Sequence, residues 1–206
     1  MNYLKLFFSG YYFRRFLGRF FWPKIVYLMV KAVGARCIFM GRPILSETAD
    51  STIIIGNSVT FVSNSFDTAL GVRQPCILRT LRKGAILKIG NNTAASGLVV
   101  CSEHSVIIGN SCLFGANVTI FDTDFHLIHS LNRIRDDHCR ANTKPVCIGD
   151  NVFVGTGSII CKGVTIGNNS VVGAGSVVTK SFSQNSIIGG NPAELLGIIK
   201  PDNHSC

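Results

Sequence analysis

The sequence predicts an all-β protein built from stacked structural repeats, and three observations favour this fold class. Six consecutive six-residue units each begin with Ile or Val, namely Ile148, Val154, Ile160, Ile166, Val172 and Val178. A small residue follows in every unit, and Gly or Asn, which adopt left-handed backbone conformations cheaply, recur at the fourth position. The apolar spacings of three and four that an amphipathic helix needs are missing. Such a fixed period is typical of units that bury one another's apolar side chains.

Interrupted copies of the same pattern occur upstream. Their apolar first positions are Ile55, Phe61, Ile89, Ala95, Cys101, Ile108, Phe114 and Ile120. The spacing slips by one residue between Cys101 and Ile108. We expect Cys101 and Cys161 to point inward, where a thiol behaves as a small apolar group.

The net charge of +9 is concentrated at the N-terminus. Residues 1–46 contain eight basic and no acidic residues, whereas the other 160 contain twelve basic and eleven acidic ones. The repeat domain is therefore not a polyanion-binding surface, and we expect no nucleic-acid partner. The eight cysteines form no CxxC pair and no secretory signal is recognisable, so free thiols in the cytoplasm are expected.

The N-terminal segment, residues 1–46, is both aromatic and basic. On helical spacing one apolar stripe contains Leu6, Phe13, Leu17 and Phe20. Pro23 predicts the end of this first helix, before a second helix from Lys24 to Val33. Two compatible interpretations remain open: a helix lying on anionic lipid at the inner face of the plasma membrane, or one covering the exposed edge of the repeats. RNA binding is a distant third interpretation.

A long insertion, residues 121–145, interrupts the repeats and carries His126, His129 and His138, three of the five histidines. Loops this long in a compact domain are usually functional or disordered. Histidine suits proton transfer near neutral pH, and acyl transfer from a thioester to a hydroxyl needs such a base. Arg133 and Arg135 either bind an anionic acceptor or pair with neighbouring aspartates, and we favour the second reading.

The stretch NVTIFDTDFHLIH, followed by a loop and PVCIGDNVFVG, resembles the galactoside, maltose and polysaccharide O-acetyltransferases of the hexapeptide-repeat acyltransferase family. The resemblance covers roughly residues 50–200. It implies a left-handed parallel β-helix with three short strands per turn, preceded here by the N-terminal helical segment. It also implies a short C-terminal helix in the stretch IIGGNPAELLGII, and a homotrimer. Acetyl-coenzyme A is the implied acyl donor, bound between subunits, and no metal is expected.

The same resemblance implies roles for individual residues. His126 is the general base, and His129 matches a weaker, substrate-binding histidine. Apart from the resemblance, Asp122 and Asp124 precede His126 by four and two residues, and either could orient the imidazole as the third group of a triad. We favour Asp124 or a backbone carbonyl. The positions that match donor contacts are Thr156, Ala174, Thr179 and Lys180. On the acceptor side, Phe153 stands where the family often has Trp, and Ser96 replaces an Asn.

We therefore divide the chain into the N-terminal segment 1–46, a repeat domain 47–200 with its insertion 121–145, and a tail 201–206. The favoured function is an O-acetyltransferase that modifies a sugar hydroxyl during synthesis of a bacterial surface polysaccharide, such as capsule, O-antigen or exopolysaccharide. N-acetylation of an amino sugar nucleotide is the close alternative, since it uses the same base and donor. A zinc enzyme like the γ-class carbonic anhydrases, with His104, His126 and His129 as ligands, is less favoured because the ligand spacing is wrong. A catalytically silent scaffold also remains open.

Overall fold

The computed structural model of the protein describes residues 10–30, 32–129, 131 and 141–200. Its strands form three sheets that are parallel throughout except for a final hairpin. Sheet 1 contains β1 (Ala32–Val33), β4 (Thr52–Ile55), β7 (Ile86–Ile89), β10 (Ser105–Ile108), β13 (Val146–Ile148) and β16 (Thr165–Ile166). Sheet 2 contains β2 (Ile38–Met40), β5 (Thr60–Val62), β8 (Ala94–Ser96), β11 (Leu113–Phe114), β14 (Phe153–Val154), β17 (Val171–Val172), β19 (Ser186–Gly190) and β20 (Ala193–Ile198). Sheet 3 contains β3 (Ile44–Ser46), β6 (Ile77–Thr80), β9 (Val99–Ser102), β12 (Thr119–Phe121), β15 (Ile159–Ile160) and β18 (Val177–Val178).

The chain visits the three sheets in turn, so each coil contributes one strand to each sheet. This arrangement is the predicted left-handed parallel β-helix. We call the bend from sheet 1 to sheet 2 corner 1, the bend from sheet 2 to sheet 3 corner 2, and the bend from sheet 3 back to sheet 1 corner 3. Functional residues on this scaffold are placed by their corner and their coil.

The core confirms the sequence pattern. The six predicted first positions from Ile148 to Val178 are at most 1% exposed. The fourth-position residues Asn151, Gly157, Gly163, Asn169 and Gly175 have positive φ angles of 54–77°. Left-handed backbone at these positions turns the chain through each corner, and Gly and Asn permit it at low cost.

The predicted inward positions of Cys101 and Cys161 are wrong. In β9 the alternation of the strand buries Val100 and Ser102, so Cys101 faces outward and is half-buried. Val100, which pairs with Ile120, is the core residue of this coil. Cys161 lies just beyond β15 and is likewise half-buried. The spacing of inward residues therefore shortens to five between Ala95 and Val100 and lengthens to eight between Val100 and Ile108.

A bent helix covers the first coil. It consists of α1 (Gly10–Phe16), a π-helical turn (Leu17–Phe21) and α2 (Trp22–Met29), with Pro23 in the first turn of α2. A Cβ at Gly18 would lie 2.9 Å from the carbonyl oxygen of Phe39, so the glycine allows close approach to β2. Val26 and Val30 join the central core. The structure therefore supports the covering role, while none of its described helices is long and apolar enough to cross a membrane.

Three boundaries differ from the sequence predictions. Strands β1–β3 already form a coil within residues 32–46, so the β-helix begins earlier than residue 47. The second helix ends at Met29, before the predicted Val33, because the chain turns into β1. The predicted C-terminal helix is wrong: residues 193–198 form β20, which pairs antiparallel with β19 across the turn at Pro192. The tail 201–206 lies outside the described residues.

Candidate active site

The insertion leaves corner 3 through Asp122, whose side chain is fully buried. Its Oδ1 accepts the N–H of Glu103 at 2.7 Å, and its Oδ2 accepts those of His104 at 2.8 Å and Ser105 at 2.7 Å. The hydroxyl of Ser102 donates to Oδ2 at 3.0 Å. An ionised carboxylate has about four acceptor sites. Since the turn of the preceding coil occupies them, Asp122 anchors the base of the loop to that turn.

The two ends of the insertion are joined by backbone hydrogen bonds. The N–H of Asp124 donates to the carbonyl of Asn142 at 3.1 Å, and the N–H of Lys144 donates to the carbonyl of Asp122 at 2.9 Å. Thr123 and Thr143 form an antiparallel bridge between these bonds. The base of the loop is therefore a short ribbon attached to corner 3. Residues 130 and 132–140, including Arg133, Arg135 and His138, lie outside the described residues.

Asp124 pairs with a lysine that the sequence analysis did not single out. Lys162 Nζ, at corner 3 of the next coil, lies 3.3 Å from Asp124 Oδ1, and both side chains are about one-fifth exposed. The second oxygen, Oδ2, is buried and has no hydrogen-bond partner among the described residues. A buried carboxylate oxygen without a donor is costly, so this atom is a candidate acceptor for an incoming hydrogen-bond donor. The repeats from Ile148 to Ser183 contain three charged residues, Asp150, Lys162 and Lys180, and this scarcity of charge was the available signal.

His126 is carried by a strained turn. The N–H of His126 donates to the carbonyl of Asp124 at 2.7 Å across Phe125, whose φ is +59°. A positive φ at the centre of such a three-residue turn is the rare, strained γ-turn. The N–H of Phe125 donates to Thr123 Oγ1 at 3.0 Å, and its ring packs on that of Phe121 with centroids 5.5 Å apart. These contacts hold a conformation that persists only where the surroundings impose it, as is common at functional sites.

A cleft of about 330 Å³ opens beside this turn. It is lined by Asp124, Leu127, Ile128, His129 and Asn142. Apolar walls with a few polar groups are typical of small-molecule sites. The sequence predicted Asp124 and His129 here but missed Asn142, because only the closure of the loop brings residue 142 back to corner 3.

The predicted donor contacts fall into two groups. Thr179 and Lys180 follow β18 at corner 3, two coils beyond the base of the His126 loop, a distance of about 10 Å at normal strand spacing. Lys180 is exposed, pairs with Glu194 and lies 5.9 Å from the ring centroid of Phe182. It is therefore a positioned cation on the same edge as the histidine.

The other predicted residues lie elsewhere in the same chain. Thr156 and Ala174 are stacked at corner 2, where the hydroxyl of Thr156 donates to the carbonyl of Ala116 at 2.6 Å. Ser96 is also at corner 2, two coils earlier than Thr156, and Phe153 lies on the outer surface of sheet 2. Corners 2 and 3 lie at the opposite ends of each strand of sheet 3. Thr156 and Ala174 are therefore at a different corner of the chain from the base of the His126 loop.

Corner 2 also carries an insertion that the sequence analysis missed. Residues 63–76 connect β5 to β6, contain a 3₁₀ turn (Ser65–Asp67), and are held by the N–H of Arg73, which donates to Asn117 Oδ1 at 2.7 Å. They form one wall of a cleft of about 340 Å³ that reaches Thr156. No group of three or more His, Cys, Asp and Glu side chains within the described residues could hold a metal ion, and that part of the chain includes His104, His126 and His129.

Comparison with protein families identifies the scaffold. A model described as the hexapeptide repeat of succinyl-transferase matches residues 105–120 and 145–180, the coils on either side of the His126 loop. The chain therefore carries the repeat of the hexapeptide-repeat acyltransferases over these coils. The family's repeat thus coincides with the coils that carry corner 3 and its polar groups.

Individual relatives extend this assignment. A putative acetyltransferase of Dictyostelium discoideum is 39% identical over 114 residues, which cover 55% of this chain and 58% of that protein. The galactoside O-acetyltransferase of Escherichia coli K12 is 36% identical over 114 residues, 55% of this chain and 54% of that one. The chain thus spans little more than half the length of these relatives.

Solved structures cover more of the chain. That of the polysialic acid O-acetyltransferase OatWY has a TM-score of 0.62 and 29% identity, and covers 84% of this chain and 77% of its own. Structures of the N-acyltransferase AntD of Bacillus cereus with coenzyme A have TM-scores of 0.65 and 0.66 at 19% and 20% identity. That of the acetyltransferase VCA0836 of Vibrio cholerae with acetyl-coenzyme A has a TM-score of 0.55 at 18% identity. These structures support the fold alone.

Proposed function

We propose that this hexapeptide-repeat protein is an O-acetyltransferase that moves an acetyl group from acetyl-coenzyme A to a sugar hydroxyl. The proposed acceptor belongs to a bacterial surface polysaccharide or its lipid-linked precursor. The observation that carries the proposal is the presentation of His126 on a strained turn, next to the Asp124–Lys162 pair and a cleft of sugar-compatible size. The likeness to a galactoside O-acetyltransferase and to a polysialic acid O-acetyltransferase supports a carbohydrate acceptor.

In the proposed reaction, the neutral imidazole of His126 takes the proton of the acceptor hydroxyl while its oxygen attacks the thioester carbonyl. The tetrahedral intermediate then expels the coenzyme A thiolate, which receives that proton from the imidazolium. The carbonyl of Asp124 fixes the backbone of His126, and the free Asp124 Oδ2 accepts a hydrogen bond from the acceptor or the imidazolium. Lys162 favours the ionised form of Asp124, because an opposite charge nearby stabilises the carboxylate.

The donor site is proposed to lie between subunits of a homotrimer. Lys180 and Thr179 at corner 3 would face the nucleotide phosphates, and Thr156 and Ala174 at corner 2 of a neighbour would contact the pantetheine arm. The separation of the two corners within one chain supports this arrangement, as do the exposed apolar side chains of Leu113, Phe153 and Ile187 along sheet 2. Closed symmetric homo-oligomers commonly bury such surfaces.

The main test measures thiol release from acetyl-coenzyme A with a panel of oligosaccharide acceptors. We expect His126→Ala to lower kcat by about 10²–10⁴-fold, the usual contribution of a general base, with coenzyme A binding retained. His104→Ala, which changes an exposed histidine on the neighbouring turn, is the matched control. Turnover by His126→Ala at the normal rate would contradict the proposal. Amino sugars in the same panel test the alternative of N-acetylation.

Complementation tests the shared site. His126→Ala and Ala174→Trp are each expected to be inactive, the second because an indole blocks corner 2. If every site combines the two corners from different subunits, co-refolding equal amounts should restore about a quarter of the sites. A site within one subunit would give no restoration. Fractionation of the native host tests the proposed location, the cytoplasm with peripheral contact to the plasma membrane.

A further inference from the structure

The outer side of the N-terminal helix carries cations and aromatic rings together. Phe16 and Phe20 are more than half exposed, and their rings are 5.1 Å apart. Arg15 and Arg19, one turn apart on the same stretch, are also exposed. The stripe expected from helical spacing thus divides: Phe13 and Phe20 face outward, whereas Leu17 is half-buried beside Gly18, which packs on β2.

Two adjoining clefts lie between this helix and the first coil. The first, of about 250 Å³, is lined by Arg15, Phe16, Arg19, Phe20, Ile38 and Met40. The second, of about 220 Å³, shares Arg19, Phe20 and Ile38 with the first and adds Arg36. Three guanidinium groups therefore surround one continuous depression. Guanidinium groups bind phosphate oxygens in bidentate fashion, and aromatic rings beside them suit the boundary between headgroups and acyl chains.

The sequence around this surface is strongly basic. Residues 1–46 contain eight basic residues and no acidic one, and this excess supplies most of the net charge of the whole chain. Asp67, an acidic residue that contacts the helix, is paired with Arg14 at 3.3 Å. Leu28 is 88% exposed and Phe21 is 48% exposed, so the apolar area extends along both halves of the helix. An anionic, amphiphilic surface matches these features.

We propose that Arg15, Phe16, Arg19, Phe20 and Arg36 form a docking surface for an anionic phospholipid bilayer. Lipid phosphates occupy the depression between helix and β2, and the phenylalanine rings enter the acyl boundary. The buried side of the helix stays on the first coil, so docking needs no unfolding of the cap. The surface is independent of the chemistry at His126, which lies on the fourth coil.

The test is flotation of the full-length protein with vesicles of phosphatidylglycerol and phosphatidylcholine, against vesicles of phosphatidylcholine alone. We expect binding to the anionic vesicles that high salt reverses. Each cationic side chain near an anionic surface changes the partition coefficient between vesicle and solution by about fivefold. The double variant Arg15→Gln, Arg19→Gln should therefore bind about 30-fold more weakly. Phe16→Ser with Phe20→Ser should also weaken it, with less dependence on salt.

Two matched controls separate the site from general charge and hydrophobicity. Lys83→Gln with Lys88→Gln removes the same charge from exposed positions in other coils, and Ile128→Ser with Leu131→Ser removes apolar area from the His126 loop. Neither should change vesicle binding. All variants alter exposed side chains, so their melting temperatures should match the wild type.

Three outcomes would overturn the proposal. The first is flotation of the two helix variants at the wild-type level, or no flotation of the wild type. The second is a fall in the mass measured by light scattering for Phe16→Ser with Phe20→Ser, without loss of flotation, which would assign the surface to a second copy of this chain. The third is that the wild type does not float with vesicles but binds inorganic diphosphate saturably, and that the arginine variant loses this binding. That result would assign the depression to a soluble phosphate.

Discussion

Lys162 Nζ lies 3.3 Å from Asp124 Oδ1, and this ion pair joins the base of the His126 loop to the following coil. The backbone carbonyl of Asp124 also accepts a hydrogen bond from the N–H of His126. Asp124 and Lys162 therefore influence both the position of the His126 loop and the charge of the Asp124 carboxylate. This arrangement gives Lys162 a positioning role in the proposed reaction.

Replacing Lys162 with Met should leave Asp124 as an unpaired, mostly buried charge. We expect kcat to fall by about tenfold with the KM for acetyl-coenzyme A unchanged, and the free energy of unfolding to fall by about 2 kcal/mol. Lys162→Arg should restore part of kcat, and Lys88→Met is the control for loss of a lysine. A stability change without any change in kcat would remove Lys162 from the mechanism.

Asp122→Asn should destabilise the protein because a carboxamide offers one acceptor oxygen where two are used and turns an NH₂ group toward backbone donors. We expect the free energy of unfolding to fall by about 2–3 kcal/mol in urea titrations. Asp50→Asn, which changes an exposed carboxylate, should cost less than about 1 kcal/mol. Equal losses in the two variants would show that the buried acceptor is unimportant.

The strained turn makes Phe125→Ala and Phe125→Gly informative as a pair. Both remove the ring contact with Phe121, but only glycine adopts a positive φ freely. Phe125→Gly should therefore be more stable than Phe125→Ala by about 1 kcal/mol in thermal unfolding, although both should have lowered kcat. The reverse order of stability would contradict the left-handed conformation of residue 125.

Lys180→Met tests the donor end of the site. Loss of this cation should raise the KM for acetyl-coenzyme A by about tenfold but leave that for acetyl-pantetheine, which has no nucleotide phosphates, nearly unchanged. Lys200→Met, at another exposed lysine, is the control. An equal effect on both thioesters would place the phosphates elsewhere.

Burial raises the pKa of the Cys76 thiol from its ordinary 9.0 to about 11. Since the unfolded chain loses this proton at a lower pH than the folded one, stability is unaffected below pH 9 and is lost progressively between pH 9 and 11. The full effect is on the order of 3 kcal/mol. In urea unfolding measured against pH, Cys76→Ala should lose less stability than the wild type over that interval. Parallel profiles would contradict the raised pKa.

Much of the scaffold could be predicted from the sequence, because a six-residue period constrains side-chain direction locally. Ile148 to Val178 lie inward as predicted, and Asn151 and Gly157 have the left-handed backbone expected at the fourth position. The prediction failed where the period is interrupted. The inward residue Val100 follows Ala95 by only five positions, so a count of six from Ala95 wrongly placed Cys101 inward.

The local sequence pattern also did not predict the two ends of the repeat domain. The segment after Pro192 has apolar residues that fit either a helix or a strand, and pairing with β19 decides for the strand. The first coil, β1–β3, lacks recognisable hexads. Its strands are specified by hydrogen bonds to the next coil and by the helix that covers them.

The sequence by itself determined the repeat, the inward aliphatic ladder, the histidine-bearing insertion and the basic N-terminus, since each is written in consecutive residues. Only the tertiary structure decided which groups meet. The carboxylate of Asp122 accepts hydrogen bonds from the preceding turn, and Asp124 pairs with Lys162, which lies 38 residues later in the sequence. Thr156 lies at corner 2, at the other end of sheet 3 from the base of the His126 loop. Stacking brings together residues about one coil apart, and a spacing that varies with every insertion cannot be read from a local period.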